Sequence, residues 1–327
     1  MRSTKGRCKA PPASESHMTS DTPLKPPRRH YSGVSSLPKG KASGGITAGC
    51  IVLEGGAFRS VYEEGVLDAL MEAGVNFQCT VGVSGGAMNG YNYVAGQIGR
   101  SARLNLTYRH DIRYAGPAAL KGNAGIMGFD FAFETFEREE PLDRAAFFDS
   151  RRRFIAVATN CTTGTPEFFE KGKVGDIFQA IRASASMPFV SRPVMVDGVP
   201  CLDGGCSVKV PFQWAIDQGY EKVVVVRTRH KSHRRTIRAL FGPLSRLYYR
   251  RYPLLASSLA TGNQRSNDDC DQMDCLEEAG RIFVVAPSRP VNNGRLEGNM
   301  EVLGSLYYLG YNDAKRLLPQ LYHYLES

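Results

Sequence analysis

The chain has 327 residues, 42% hydrophobic and 22% charged, with a formal net charge of +9. That composition belongs to a globular protein with a sizeable core, and it excludes a collagen-like or low-complexity chain. No run of 18 apolar residues is present and no apolar core follows the basic N-terminus, so neither a membrane-spanning helix nor a secretory leader is expected.

The charge is unevenly placed. Residues 1–46 carry nine Lys and Arg against Glu15 and Asp21, and residues 227–251 carry nine and no acid, so the remainder is acidic on balance. A basic tail and a basic patch suit an anionic surface such as phospholipid headgroups. The patch has little aromatic interleaving, so nucleic acid is not expected as a partner. The eight cysteines (8, 50, 79, 161, 201, 206, 270 and 275) form no C-x-x-C pair and have no nearby histidine to complete a zinc set. No metal or cofactor is expected. Scattered thiols point to a reducing, cytoplasmic location.

Residues 1–46 are rich in Pro, Ser, Gly, Lys and Arg and read as a disordered tail. Order begins near Ile46. Residues 48–53 form a buried-type strand, followed by Glu54-Gly55-Gly56-Ala57-Phe58-Arg59 and a helical pattern stopped at Gly74. Residues 75–83 return to the sheet and end at Ser84, and a second helix runs from Ala87 towards Gly96. This rhythm is that of a parallel sheet with crossover helices. The glycine-broken stretch 116–136 carries Phe129, Phe131, Phe133 and Phe136, expected in the core. Strands follow at 153–159 and 165–170, a helix at 176–185, a hairpin over 194–202 turning at Asp197-Gly198, a short helix at 211–218 and a central strand at 222–227. In the basic run Leu240, Leu244, Leu247 and Tyr248 fall at helical spacing, which fits a solvated helix with one packed face or a helix lying on an anionic interface. A last strand is expected at 282–286 and a helix over 301–325, broken at Pro319.

Three features carry chemistry. Gly82-Val83-Ser84-Gly85-Gly86 places a serine between an apolar strand and a helix. In such a turn the hydroxyl is lifted from the sheet, and a Cβ at the glycines would collide with the neighbouring strand or helix. Gly55-Gly56-Ala57 before a helix can form a nest of N–H groups, and donors aimed at a developing oxyanion are worth roughly 3–4 kcal/mol. Arg59 follows the nest and is placed to hold an anion or the loop. Asp203, at a strand end before Gly204-Gly205, can reach a serine on a neighbouring strand. Burial would raise its pKa towards that of a usable base. Of the six histidines, His230 and His233 follow a strand and come after Asp203, the chain order of an α/β-hydrolase triad, but they sit among cationic neighbours.

Together Glu54–Arg59, Gly82–Gly86 and Asp203–Gly205, in this order over about residues 48–227, resemble the bacterial patatin-like phospholipases. The resemblance implies a three-layer α/β/α fold with a mostly parallel sheet and a nucleophile elbow. It implies a lipid acyl hydrolase with Ser84 as nucleophile, Asp203 as base, and Gly55, Gly56 and Ala57 as oxyanion hole, supported by Arg59, Gly82, Gly85, Gly86, Gly204 and Gly205. No metal takes part in such a scheme. Two positions depart from the family pattern, which has glycine where Ala57 and Ser60 stand. Ala57 keeps its N–H but tolerates positive φ poorly. The expected organisation is a tail (1–46), a catalytic domain (47–227) and a C-terminal extension (228–327), acting on a lipid or acyl ester at an anionic membrane surface. Two other readings stay open: a Ser-His-Asp esterase on small soluble esters, and a non-enzymatic membrane-surface binding protein.

Overall fold

The apolar run Cys50–Leu53 has no polar face, and the sheet accordingly buries it on both sides. The structure, a computed structural model, describes residues 27–116, 119, 125–237 and 241–327. Strand β2 (Thr47–Leu53) pairs in parallel with β3 (Phe77–Val83) on one side and β9 (Val223–Val226) on the other. β3 pairs in parallel with β5 (Arg153–Asn160), and β9 with β10 (Phe283–Val285). The order β10-β9-β2-β3-β5 is continued by antiparallel β8 (Val199–Asp203) and β7 (Val194–Val196), while β6 (Pro166–Glu170) also pairs with β5. The all-apolar runs are the parallel strands, because crossover helices cover both faces of a parallel sheet.

One layer holds α1 (Val61–Glu72) and the C-terminal α8 (Met300–Glu326), tied by Tyr307 Oη donating to Asp68 (2.8 Å) and Tyr62 Oη to Asp313 (3.2 Å). Between β3 and β5 run α2 (Gly85–Val94) and α3 (Arg100–Tyr108). Further along come α4 (Ile177–Ser184), α5 (Phe212–Asp217), α6 (Phe241–Tyr248) and α7 (Pro253–Glu278). The result is a three-layer α/β arrangement around a mostly parallel sheet. Phe129, Phe131 and Phe136 are buried in it, with Phe131–Thr135 wound as a π-helix turn.

Several expectations need correction. Residues 27–46 are not a free tail. Tyr31 N–H donates to Leu106 O (2.9 Å), Ser32 bonds Glu301, Leu37 is buried, and Gly40–Lys41 (β1) pairs with Gln97–Ile98 (β4). Averaged composition hid the few apolar anchors that suffice to dock the segment. Residues 1–26 of that tail lie outside the described residues. Helix α8 runs through Pro319 without a break. The ring sits on the exposed face, where water can take the freed carbonyl, while Leu321 and Tyr324 beyond it are buried.

The basic run is more internal than a solvated patch. Arg227 is buried and donates to Cys270 Sγ (3.0 Å), Arg234 pairs with Asp271 and Asp274, and Lys231 pairs with Glu277. Those partners all lie on α7, a 26-residue helix that had no clear apolar stripe to announce it. Leu240 lies outside the described residues. Of the described cysteines, all are free thiols and only Cys275 is exposed.

Candidate active site

Strand register brings the two candidate side chains level. Val83 faces Val157 across β3–β5, and Ala158 faces Asp203 across β5–β8, so Ser84, just past the end of β3, and Asp203, the last residue of β8, stand at the ends of strands two places apart in the sheet. At residue 84 the chain turns from β3 into α2 with φ 55° and ψ −119°. A non-glycine residue held there costs roughly 1–3 kcal/mol and persists only where its surroundings fix it. They do. Ser84 N–H donates to Ser184 Oγ at the end of α4 (2.8 Å), and that hydroxyl donates to Val157 O on β5 (2.6 Å). The elbow is also closely packed. A Cβ at Gly82 would stand 2.5 Å from Gly86 O, and one at Gly86 would stand 2.6 Å from Leu53 O on β2. The collisions expected from sequence are thus with the helix and with the neighbouring strand. Gly85 lies against Ser60 of the preceding loop.

Ser84 Oγ donates to Asp203 Oδ2 at 2.7 Å. Asp203 Oδ1 accepts from Gly205 N–H (2.8 Å), and Asp203 O accepts from Thr159 Oγ1 (2.9 Å). Gly204 lets the end of β8 close onto β5, since a Cβ there would collide with Val157 O. Both side chains are buried. Burial raises the Asp203 carboxyl above its ordinary value, and the Ser84 and Gly205 hydrogen bonds and the Arg295 and Lys209 charges pull it partly back. Lys209 itself is lowered to about 8, by burial first and then by Arg235.

The glycine-rich turn forms a third wall. Among the described residues, no protein acceptor takes the N–H of Gly55, Gly56 or Ala57. Ala57 adopts φ 49°, the conformation that alanine disfavours. The Ser60 hydroxyl donates to Ala57 O at 2.6 Å, and Phe58 N–H donates to Arg295 O at 3.1 Å, so both ends of the Ala57–Phe58 peptide are held. Arg59 follows in the 3-10 turn Ala57–Ser60 and is buried. Its pKa is pushed down to about 9 by burial and then by Arg229, Arg295 and Arg235.

Three cavities meet here. The first, about 110 Å³, has Ser84, Asp203 and the 55–57 turn on its walls together with Met187, Lys209 and Arg295. A second, about 40 Å³, continues from Ser84 between Met88, Tyr114, Met127, Phe129 and Met187 and is mainly apolar. The third is lined by arginines and shares walls with the first. Sequence reasoning missed Ser184, Thr159, Arg235 and Arg295, each brought in by an element distant in the chain, and Lys209, which follows Asp203 by six residues but carries no motif. It also missed Glu54, whose carboxylate accepts from Thr228 N–H (2.7 Å) and Arg235 (3.2 Å). Its one sequence signal was an acid at the end of an apolar strand.

His230 and His233 stand away from the serine. His230 bonds Ser232, and His233 lines the basic cavity, where burial and then Arg229 and Arg235 lower its pKa. Among the described residues no histidine hydrogen-bonds to Ser84 or Asp203, and no cluster of three His, Cys, Asp or Glu could hold a metal. No helix of the described residues is long and apolar enough to cross a membrane.

Fold and site together define a three-layer α/β protein with a serine on a strand–turn–helix elbow facing a buried carboxylate. A model of the patatin-like phospholipase family matches residues 51–216, about half of the chain. The chain belongs to that family. Residues 252–326 match a domain of unknown function (DUF6363). Uncharacterized protein YjjU of Escherichia coli is 32% identical over 183 residues, 54% of this chain and 51% of that protein. An uncharacterized NTE family protein of Mycobacterium tuberculosis, Rv1063c, is 29% identical over 164 residues, 50% of this chain and 44% of that one. Lysophospholipase nte1 of Aspergillus terreus is 28% identical over 165 residues, 47% of this chain and 10% of that protein. The chain thus spans about half the length, or less, of the curated relatives it matches.

Proposed function

We propose that the chain is a lipid acyl hydrolase working through a Ser84–Asp203 dyad and an acyl-enzyme. The observation that carries this is the 2.7 Å hydrogen bond from a strained elbow serine to a buried, upward-shifted aspartate. Asp203 takes the Ser84 proton as Oγ attacks the ester carbonyl. The free N–H groups of the 55–57 turn receive the oxyanion. On collapse the alcohol leaves with the proton from Asp203. Water then attacks the acyl-enzyme, giving its proton to Asp203, and Ser84 recovers that proton as the carboxylic acid departs. The apolar cavity bounded by Met88, Met127 and Phe129 suits the acyl chain. The direct Ser–Asp contact supports this scheme over a histidine triad.

For a membrane surface, the support is the apolar face of α6 and the start of α7. Leu244, Leu247, Tyr248 and Leu254 are exposed there beside Arg246, Arg250 and Arg251. The reading places these residues in the interface of an anionic bilayer and the enzyme in the cytoplasm, bound peripherally.

A fluorophosphonate probe tests the enzyme. It should label Ser84 in the wild type, fail with Ser84→Ala and react slowly with Asp203→Asn. A wild-type protein that neither labels nor hydrolyses any ester would leave the non-enzymatic binding reading in its place.

A further inference from the structure

The basic cavity, about 380 Å³, adjoins the one that holds Ser84, and the two share Arg235, Asn263 and Arg295 as walls. Its lining also includes Arg59, Arg229 and Arg234. The charges are not equally compensated. Arg234 pairs with Asp271 and Asp274, each at 2.7 Å, and Arg235 pairs with Glu54 at 3.2 Å. Arg59, Arg229 and Arg295 form no ion pair among the described residues. Arg59 and Arg229 each bury an Nε with no hydrogen-bond partner, and Arg59 is only 5% exposed. A buried guanidinium with unused donors is costly unless an anion meets it. Half-buried Arg229 and exposed Arg295 stand in the same wall and add repulsion to the buried Arg59, as its depressed pKa also records.

The unused donors surround a space large enough for a phosphate group, and guanidinium forks match phosphate oxygens two at a time. The lining also says what the phosphate does not carry. Glu54, the carboxylate behind this wall, is buried and already committed to Thr228 and Arg235. Among the described residues no free carboxylate lines the cavity to receive an ammonium. A choline or ethanolamine headgroup would bring its cation among three uncompensated arginines, whereas a phosphate monoester brings up to two negative charges and no cation.

Resting on the hydrolase reading, we propose that this cavity holds the phosphate monoester end of the substrate, so that acyl esters bearing a terminal phosphate are selected over neutral and zwitterionic ones. The acyl carbonyl then lies at Ser84, with the two ends of one substrate held in adjoining cavities.

The test compares kcat/KM of the full chain for 1-acylglycerol 3-phosphate, the corresponding phosphocholine diester and the neutral monoacylglycerol, all with one acyl chain. The phosphate monoester should be preferred by about 10-fold or more, the scale of one charge-assisted contact. Arg295→Gln, at an exposed side chain with no ion pair among the described residues, and Arg229→Gln should each lower that preference about 10-fold. Equal kcat/KM for the three wild-type substrates, or an unchanged preference in both variants, overturns the proposal. Inorganic phosphate separates the source of the anion. If it raises the wild-type Tm but not that of Arg295→Gln while headgroup makes no difference, the cavity takes free phosphate and the substrate assignment fails. If no ester is hydrolysed at all, the hydrolase reading fails separately. The non-hydrolysable ether 1-O-alkylglycerol 3-phosphate then decides the cavity: binding weakened about 10-fold in Arg295→Gln supports it, and no binding to the wild type overturns it.

Discussion

The Ser60 hydroxyl donates to the Ala57 carbonyl at 2.6 Å. These are the two positions where glycine is expected from the family pattern, and the structure couples them. Ala57 occupies φ 49° at a cost glycine would not bear, and Ser60 supplies the hydrogen bond that holds the peptide in place. With the clamp gone, the turn no longer presents its N–H groups in one fixed direction. Ser60→Ala should lower kcat about 10-fold with little change in KM, as for a group acting on the transition state alone. Ala57→Gly should leave the Ser60 bond intact and raise stability by roughly 0.5–1 kcal/mol, read as Tm. An unchanged kcat in Ser60→Ala would separate the clamp from catalysis.

Asp203→Asn keeps the side-chain shape beside Ser84 but removes the proton acceptor. Activity on a lipid ester should fall by about 10³-fold or more, while the Tm stays close to wild type. His230→Ala and His233→Ala should retain their activity on a small soluble ester. Loss of activity in either variant would restore the triad reading.

The acid limb of kcat/KM should lie above the ordinary aspartate range, because Asp203 must be ionised to act and burial raises its pKa. Lys209 lies in the same cavity and its charge pulls that pKa down. Lys209→Met should therefore move the limb to higher pH. A limb that moves to lower pH, or not at all, would place the lysine's influence elsewhere.

Stability should fall between pH 5 and 8 because of Glu64. Burial pushes this carboxyl up to about 8, although Asn105 and Ser101 donate to it. Below its unfolded value of about 4.5 both states are protonated and nothing is gained or lost. Above that value the unfolded chain releases the proton and the folded chain keeps it, so stability declines until about pH 8. Glu64→Gln should remove this part of the slope, stabilising the protein at pH 8 relative to wild type by on the order of 2–4 kcal/mol. Asp68, raised to about 7 by burial, acts in the same direction and leaves a residual slope. Urea titrations at pH 5 and pH 8 measure the difference.

Leu247→Asp on the exposed face of α6 should weaken sedimentation with anionic vesicles about 10-fold and spare hydrolysis of a soluble ester. Undiminished vesicle binding would remove this helix from the membrane contact.

Local pattern by itself determined the strands of the main sheet, the helices that follow β2 and β3, and the three chemical motifs. Unbroken apolar runs such as Val223–Val226 are buried on both faces, and the glycines around Ser84 have no room for a Cβ, so a short window of sequence carries the information. Composition misled where few residues decide: Tyr31 and Leu37 dock a segment whose average looks unstructured. The pairings were decided by the tertiary structure alone. Ser84 and Asp203 are 119 residues apart, and the 2.7 Å between them comes from the register of β3, β5 and β8. The arginine cavity draws Arg59, the pair Arg229 and Arg235, and Arg295 from three parts of the chain, and in sequence nothing ties Arg59 or Arg295 to the basic run at 227–251. Whether an arginine is solvated, paired with Asp271 or set in the wall of a cavity depends on which elements pack beside it, and that is a long-range property of the fold.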